Sequence, residues 1–181
     1  SLVALMEPGS CFAGVLAELL LAADRSYALV DDGASTGRAA KVVLSEGNLG
    51  RYPMSNGLTR LETRFLGDER GLARVHEAIG RALQAEEAED LGLVTFALDD
   101  IDWEDEVRLF LEERAAFSPD ALTAMEANLR FAGPETMETK NVARLTAWQN
   151  WVLERPNAVG DEGALKRYGT GRKPAFDFGR V

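Results

Sequence analysis

The sequence lacks most of the residues from which metal sites, disulfide frameworks and histidine-based active sites are built. Its 181 residues include one cysteine, Cys11, and one histidine, His76. A lone cysteine excludes an internal disulfide framework and is typical of a reducing compartment. A zinc site needs several His or Cys ligands, and a Ser–His–Asp triad would depend on His76, which lies among Arg and Glu residues of a predicted helix. We therefore expect no metal site.

Basic residues and long apolar runs are also scarce. Lys and Arg number 20 against 30 Asp and Glu, which gives a net charge of −10 and makes nucleic acid a poor partner. The longest apolar run, residues 16–23, is interrupted by Glu18 and is too short to cross a bilayer. Hydrophobic residues make up 46%, enough for a core. A cytoplasmic protein without a membrane partner is expected, and the opening strand-like run SLVALMEPG suggests a piece of a longer polypeptide.

The stretch from Glu7 to Arg25 has the pattern that is most typical of a catalytic site. A turn of small residues, 9–14, leads into a helix predicted over residues 14–23 that is apolar all round and therefore expected to be buried. A lone Glu18 in such a helix must be paired, hydrogen-bonded or neutral. The free N–H groups at the helix start can donate to an oxyanion, a layout that suits acid–base chemistry on a carbonyl compound. Alternatively, Glu18 complements the helix dipole or pairs with an Arg.

The pattern of apolar residues and turn signals predicts an α/β half followed by a helical half, with the change near residue 100. The predicted strands cover residues 2–6, 26–30, 41–45 and 93–97, and a polar loop covers 31–38. The predicted helices after the first cover residues 58–65, 70–83, 85–91, 103–116 and 134–153. Ser118 and Pro119 predict a further helix start, and Gly92 a helix end.

Four motifs in order resemble the enoyl-CoA hydratase (crotonase) superfamily. They are the turn of small residues followed by Glu18 and, six residues later, Asp24; E-x-x-L-G-x-x-P-x-x-x-G-x-x-R-L at 46–61; A-x-x-A-x-x-x-G-L-V at 85–94; and E-G…R-K-P-x-F at 162–176. The sequence departs from the family at Val15-Leu16, where members have a glycine pair. A backbone N–H survives that change, in a bulkier turn.

The resemblance implies a crotonase-like (ClpP/crotonase) α/β spiral core, incomplete at its N-terminus, in residues 1–100. It assigns residues 101–181 to a helical region that serves oligomerisation or covers the active site. It also implies an acyl-CoA substrate, a homo-oligomer, and no cofactor other than the coenzyme A of the substrate.

The same resemblance assigns candidate site residues. Glu18 and Glu46 are the expected acid/base carboxylates, with a water between them, and the backbone N–H of Val15 is the expected oxyanion donor; the alternative is a structural pair of buried carboxylates. The residues expected to bind substrate are Cys11, Gly14, Asn48, Tyr52, Arg172 and Lys173. Cys11 as a small buried hydrophobe, and Arg172 with Lys173 as a solvated basic tail, remain alternatives.

Four segments are not general features of the superfamily: residues 7–14, 131–140, 144–151 and 155–166. They resemble the C-terminal part of the ring-cleaving lyases of aerobic benzoyl-CoA degradation. That resemblance implies opening of the ring of 2,3-epoxy-2,3-dihydrobenzoyl-CoA with two waters, which gives 3,4-didehydroadipyl-CoA semialdehyde and formate. The alternatives are a hydratase or isomerase for another acyl-CoA, and an inactive assembly module when the chain is isolated.

Overall fold

The computed structural model of the chain describes residues 1–30, 38–130 and 133–180. These residues form two compact units, Ser1–Leu109 and Phe110–Val181. The predicted loop at 31–38 lies outside the described residues except for residue 38. The first two residues of the segment 131–140 also lie outside them. Among the described residues, no helix is both long enough and apolar enough to span a bilayer.

The strands of the first unit form two small sheets. The strands are β1 Val3–Met6, β2 Cys11–Ala13, β3 Arg25–Leu29, β4 Lys41–Val43, β5 Ala82–Leu83 and β6 Phe96–Leu98. One sheet has the order β1-β3-β6 and is parallel throughout. The other has the order β2-β4-β5, in which β2 and β4 are parallel and β5 is antiparallel to β4. The four predicted strands are confirmed within a few residues, whereas β2 and β5 were not predicted.

The helices of the first unit are shorter than their sequence pattern predicts. They are α1 Ala17–Leu21, α2 Arg60–Arg64, α3 Glu69–Glu77 and α4 Ala85–Asp90, with 3₁₀ segments at Gly14–Leu16 and Glu46–Leu49. The predicted helix 70–83 ends early because Gly80 adopts φ +79°, a left-handed conformation, and the chain then enters β5. Gly92 ends α4 as predicted, with φ +74°.

The predicted helix at 14–23 begins as a 3₁₀ turn and is not buried all round. Ala17, Glu18, Leu20 and Leu21 are buried. The side chains of Val15, Leu16 and Leu19 lie on the surface. The prediction of a helix buried on every side is therefore wrong, because an apolar residue type does not by itself place a side chain inside.

The hydrophobic core of the first unit joins both sheets to α1 and the helices that follow. Its largest fully buried apolar side chains are Met6, Leu20, Val42, Leu44, Leu61, Val75, Leu83 and Leu93. Fully burying one such side chain contributes about 1.5–3 kcal/mol. This core therefore fixes α1, which carries Glu18, and β4, which leads into the segment that carries Glu46.

The remaining chain is helical. Its elements are α5 Trp103–Ala115, α6 Pro119–Leu129, α7 Met137–Thr139, a π-helical segment Lys140–Leu145, α8 Thr146–Leu153, α9 Pro156–Val159, α10 Ala164–Arg167 and a 3₁₀ segment Phe178–Arg180. Ser118 caps α6, with Pro119 in its first turn, as predicted. The long helix predicted at 134–153 runs from Met137 to Leu153. The paired rings of Trp148 and Trp151 meet edge to face, with centroids 5.5 Å apart.

Candidate active site

The junction between β2 and α1 places a helix start at the surface. Strand β2 ends at Ala13, and Gly14 turns the chain with φ +52°, a conformation that favours glycine. Val15 follows inside the 3₁₀ segment, and the first N–H groups of a helix have no partner within it. Val15 as a whole residue is 57% exposed. This geometry suits an oxyanion donor, and the role of the Val15 N–H stays a prediction.

Glu18 is buried and is held at both carboxylate oxygens. It is 7% exposed in spite of its charge. Its Oε1 accepts a hydrogen bond of 2.6 Å from Asn48 Nδ2. Its Oε2 accepts one of 3.0 Å from Arg60 Nη1, in an ion pair. The sequence required a buried Glu to be paired, hydrogen-bonded or neutral, and the structure shows an ion pair together with a hydrogen bond.

Asn48 uses its whole bonding capacity inside the protein. Besides Glu18, its Nδ2 donates to the Gly14 carbonyl at 2.9 Å. Its Oδ1 accepts from the Ser45 N–H at 2.8 Å and from the Ser45 hydroxyl at 3.0 Å. An amide side chain offers two donors and two acceptor lone pairs, so all four are occupied. Asn48 thus joins three segments of the chain, and its predicted role in lining the substrate pocket stays a prediction.

Glu46 lies in a different environment from Glu18. It opens the 3₁₀ segment that follows β4, and its side chain is exposed. Ser45 caps that segment together with Asn48. One short segment therefore presents a carboxylate to solvent and, two residues later, a buried amide to Glu18. The water predicted between the two carboxylates stays a prediction.

Tyr52 lies close to the segment that carries Glu46. A Cβ built on Gly47 would be 3.0 Å from Tyr52 Cε2, 3.2 Å from its hydroxyl and 3.3 Å from Ser45 Oγ. The Tyr52 ring therefore packs against Gly47. Gly14 also lies near Ser45, since a Cβ there would be 3.7 Å from Ser45 Oγ. Tyr52 and Gly14, both predicted to bind substrate, thus border the same few residues.

Cys11 and Asp24, which lie on either side of α1 in the sequence, have different environments. Cys11 is a free, exposed thiol on β2, opposite Lys41 of β4. The alternative of a small buried hydrophobe is therefore wrong, and contact with substrate stays a prediction. Asp24 accepts a hydrogen bond of 2.6 Å from the Leu2 N–H and so ties the chain after α1 to the start of β1.

The basic pair Arg172 and Lys173 lies in the second unit, and both side chains are exposed. The tail around them is held by backbone contacts to Asn157, whose Oδ1 accepts from the Asp177 N–H at 2.8 Å. A further bond of 3.0 Å joins the Ala175 N–H to the Glu162 carbonyl. Exposed side chains on an anchored tail are compatible both with phosphate binding and with simple solvation.

Sequence reasoning missed Arg60 as a site residue. Arg60 is part of the motif at 46–61, but nothing in that motif shows which carboxylate it meets. The available signal was the requirement that a buried Glu18 find a partner. Across the described ranges, no cluster of three or more His, Cys, Asp or Glu side chains is arranged to hold a metal ion. His76 is exposed on α3.

Comparison with known proteins gives both a sequence relative and structural neighbours. The chain is 56% identical over 182 aligned residues to benzoyl-CoA-dihydrodiol lyase of Aromatoleum evansii, with 100% of this chain and 32% of that protein covered. The chain therefore spans about a third of the length of this relative. No family model matches the chain.

Solved structures of enoyl-CoA hydratase/isomerases share the fold. One from Cupriavidus metallidurans CH34 superposes with a TM-score of 0.63 at 23% identity, covering 95% of this chain and 58% of that one. A putative member from Mycobacterium abscessus gives a TM-score of 0.64 at 17% identity, covering 96% and 65%. The predicted fold is thereby confirmed. The chain has the crotonase fold and is, over its whole length, a relative of benzoyl-CoA-dihydrodiol lyase.

Proposed function

We propose that the chain is part of a crotonase-type enzyme that acts on a coenzyme A thioester. The observation that carries this proposal is the sequence identity, over the full chain, to a protein named benzoyl-CoA-dihydrodiol lyase. Because the chain spans only about a third of that relative, the activity is proposed for the native polypeptide that carries this sequence.

The proposed reaction opens the ring of 2,3-epoxy-2,3-dihydrobenzoyl-CoA. Two waters are consumed, one ring carbon leaves as formate, and the other carbons remain in 3,4-didehydroadipyl-CoA semialdehyde. Coenzyme A enters as part of the substrate, so we expect no separate cofactor. The enzyme is expected to be cytoplasmic and to have neither a nucleic-acid nor a membrane partner.

The thioester oxygen would lie against the start of the 3₁₀ segment that precedes α1. Negative charge builds on that oxygen in the transition state, where a fixed N–H dipole stabilises it most. The Val15 N–H at the surface-exposed helix start is the proposed donor. Cys11, Gly14, Asn48 and Tyr52 are the proposed surroundings of the acyl group. Arg172 and Lys173 are proposed to meet the phosphates of coenzyme A.

Two carboxylates supply the proposed proton transfers. Ring opening by water requires groups that take protons from water and deliver them to the leaving oxygen and carbon. Glu18 at the end of its buried hydrogen-bond network and Glu46 at the surface of the adjoining segment are the proposed pair. Their different surroundings favour different roles for the two.

Two other functions have specific support. The fold shared with enoyl-CoA hydratase/isomerases favours hydration or isomerisation of another acyl-CoA. The exposed apolar residues of the helical unit, which include Leu129, Val142, Leu145 and Leu165, favour assembly into a homo-oligomer. An isolated chain would then act as a non-catalytic assembly fragment.

The test replaces Glu46 in the native polypeptide. Glu46→Gln is expected to lower kcat for formate release by about 10²- to 10⁴-fold, the usual contribution of a general acid or base. The melting temperature should not change, because the side chain is exposed. Glu89→Gln, at an exposed glutamate of α4 in the same unit, is the matched control and should keep wild-type turnover.

The outcomes separate the candidate functions. Unchanged formate release in Glu46→Gln would remove Glu46 from the mechanism. Hydration of an enoyl-CoA by the wild type, without formate from the epoxide, would support the second function. If a calorimetric titration detects no binding of any CoA thioester, the role as a non-catalytic assembly fragment is the remaining candidate.

A further inference from the structure

The network around Glu18 holds this carboxylate at both of its oxygens. Asn48 and Arg60 each donate to one oxygen of Glu18. The two donors come from different elements, the 3₁₀ segment after β4 and α2. The Oδ1 of Asn48 is itself held by the N–H and the hydroxyl of Ser45. The network therefore fixes the orientation of the Glu18 carboxylate.

The donors are themselves fixed. Asn48 is 1% exposed and also bonds to the Gly14 carbonyl, at the helix start that carries the Val15 N–H. One amide thus joins the carboxylate, the helix start and the cap of the Glu46 segment. A residue that holds two parts of a site at once controls their spacing, and a misplacement of about 1 Å can cost about 100-fold in rate.

The Glu46 carboxylate, unlike that of Glu18, lies at the surface. Its side chain is exposed at the first position of the 3₁₀ segment. Residues two apart in a 3₁₀-helix point to different sides, since the helix has three residues per turn. Water therefore reaches Glu46 while Asn48, on the same segment, faces inward.

We propose that Asn48 and Arg60 are positioning residues that hold the Glu18 carboxylate in place for the reaction, whereas the Glu46 carboxylate is open to water. This proposal rests on the proposed function for its catalytic part. Its structural part does not, because it concerns only which carboxylate is held and which is free.

The first experiment needs no substrate. A water-soluble carbodiimide with an amine labels carboxyl groups that are accessible and can take a proton, and mass spectrometry locates the label. In the wild-type chain we expect label on Glu46 and at least tenfold less on Glu18. Arg60→Ala should open Glu18 to labelling, whereas Arg74→Ala, which breaks the exposed pair of Arg74 with Asp90 in the same unit, should not. Equal labelling of Glu18 and Glu46 in the wild type would overturn the proposal.

The second experiment measures kinetics in the native polypeptide. Arg60→Ala is expected to lower kcat about 100-fold while KM changes little, because the substrate contacts are retained. Added guanidinium should restore part of kcat, since the Arg60 side chain is 31% exposed and leaves a path from solvent. Arg60→Lys should be intermediate, because lysine keeps the charge but not the planar fork.

The outcomes keep the two proposals apart. A loss of kcat that neither guanidinium nor Arg60→Lys relieves, in folded protein, would overturn the positioning role. If Arg60→Ala fails to fold, Arg60→Lys decides alone: a kcat several-fold below wild type with Glu18 still unlabelled supports the positioning role, and an unchanged kcat overturns it. A wild type that releases no formate but labels Glu46 and spares Glu18 would refute the proposed function and leave the arrangement of the carboxylates standing.

Discussion

The two units of the chain bury apolar surface to very different extents. In Ser1–Leu109 the fully buried side chains include Met6, Leu20, Leu44 and Leu83. In Phe110–Val181 the buried apolar residues, among those the structure describes, are Phe110, Pro119, Ala124 and Ala158. Large apolar residues of this second unit are instead exposed, among them Phe117, Leu129, Met137, Val142, Leu145 and Leu165.

The second unit relies more visibly on polar contacts. Arg144 pairs with Glu135 at 3.0 Å, and Arg155 approaches Asp120 at 3.4 Å. Arg155 also lies over the ring of Trp151, with 4.7 Å from its guanidinium carbon to the ring centroid. Asp120 is buried, so the loss of Arg155 would leave an uncompensated charge inside the unit. The comparison teaches that the α/β unit has a core of its own, whereas the shorter helical unit leaves more of its large apolar residues exposed.

The sharpest way to test this contrast is a pair of leucine truncations. Leu44→Ala removes a fully buried side chain and is expected to lower the free energy of unfolding by about 2–5 kcal/mol. Leu165→Ala removes an exposed one and should change it by no more than about 0.5 kcal/mol. Urea titration monitored by circular dichroism measures both. A large, concentration-dependent loss in Leu165→Ala would show instead that an assembly buries this residue.

Helix caps test the same comparison of the two units, with a smaller expected change in the free energy of unfolding. Thr59 and Glu62 bond reciprocally at the start of α2, at 3.1 and 2.6 Å, and Thr59 is buried. The Ser118 hydroxyl is 3.5 Å from the Ala121 N–H at the start of α6. Thr59→Ala is therefore expected to cost about 1–2 kcal/mol and Ser118→Ala about 0.5 kcal/mol. Equal losses in chemical denaturation would contradict this order.

The smallest expected effect is pH-dependent and lies in the second unit. The hydrogen bond from Arg167 holds the pKa of the exposed Glu162 carboxyl below its ordinary value of 4.5. A depressed folded-state pKa stabilises the fold above the ordinary value, and that contribution is lost as pH falls through the folded-state pKa. Glu162→Gln should therefore melt slightly below wild type at pH 7, and the difference should vanish in acid.

The control for this variant is Glu154→Gln, at another exposed glutamate of the same unit. Its melting temperature should follow that of the wild type across the same pH range. A difference between wild type and Glu162→Gln that stays constant from neutral to acid pH would show that the ion pair does not carry the effect.

Much of the fold could be predicted from the sequence because local patterns are strong in this chain. Strands β1, β3, β4 and β6 follow short apolar runs between turn residues, and the caps at Ser118 and Gly92 follow residue chemistry. Strand β2 could not be predicted, because CFA lies between small residues and depends on pairing with β4. The same holds for β5, where two residues after a helical pattern pair with β4.

The sequence suggests which residues belong to the candidate site, but not which hydrogen bonds join them. Motif spacing led to Glu18, Glu46 and Val15. No local pattern shows that the Asn48 amide donates hydrogen bonds to Glu18 and to the Gly14 carbonyl. Arg60 lies 42 residues from Glu18 in the chain, so their contact exists only once the core has formed. Exposure was also unpredictable: Val15, Leu16 and Leu19 are as apolar as their buried neighbours, and tertiary packing decides between them.

The link between Glu18, Asn48 and Arg60 has a consequence for how this sequence can diverge. The three residues come from α1, the segment after β4 and α2, yet each satisfies a charge or amide of another. Replacing Arg60 alone leaves the buried Glu18 carboxylate without its ion-pair partner, and replacing Asn48 alone removes its other hydrogen bond, so drift through these single steps is penalised. Homologues that keep this arrangement should inherit the three positions together, and those that abandon it should have exchanged all three in concert.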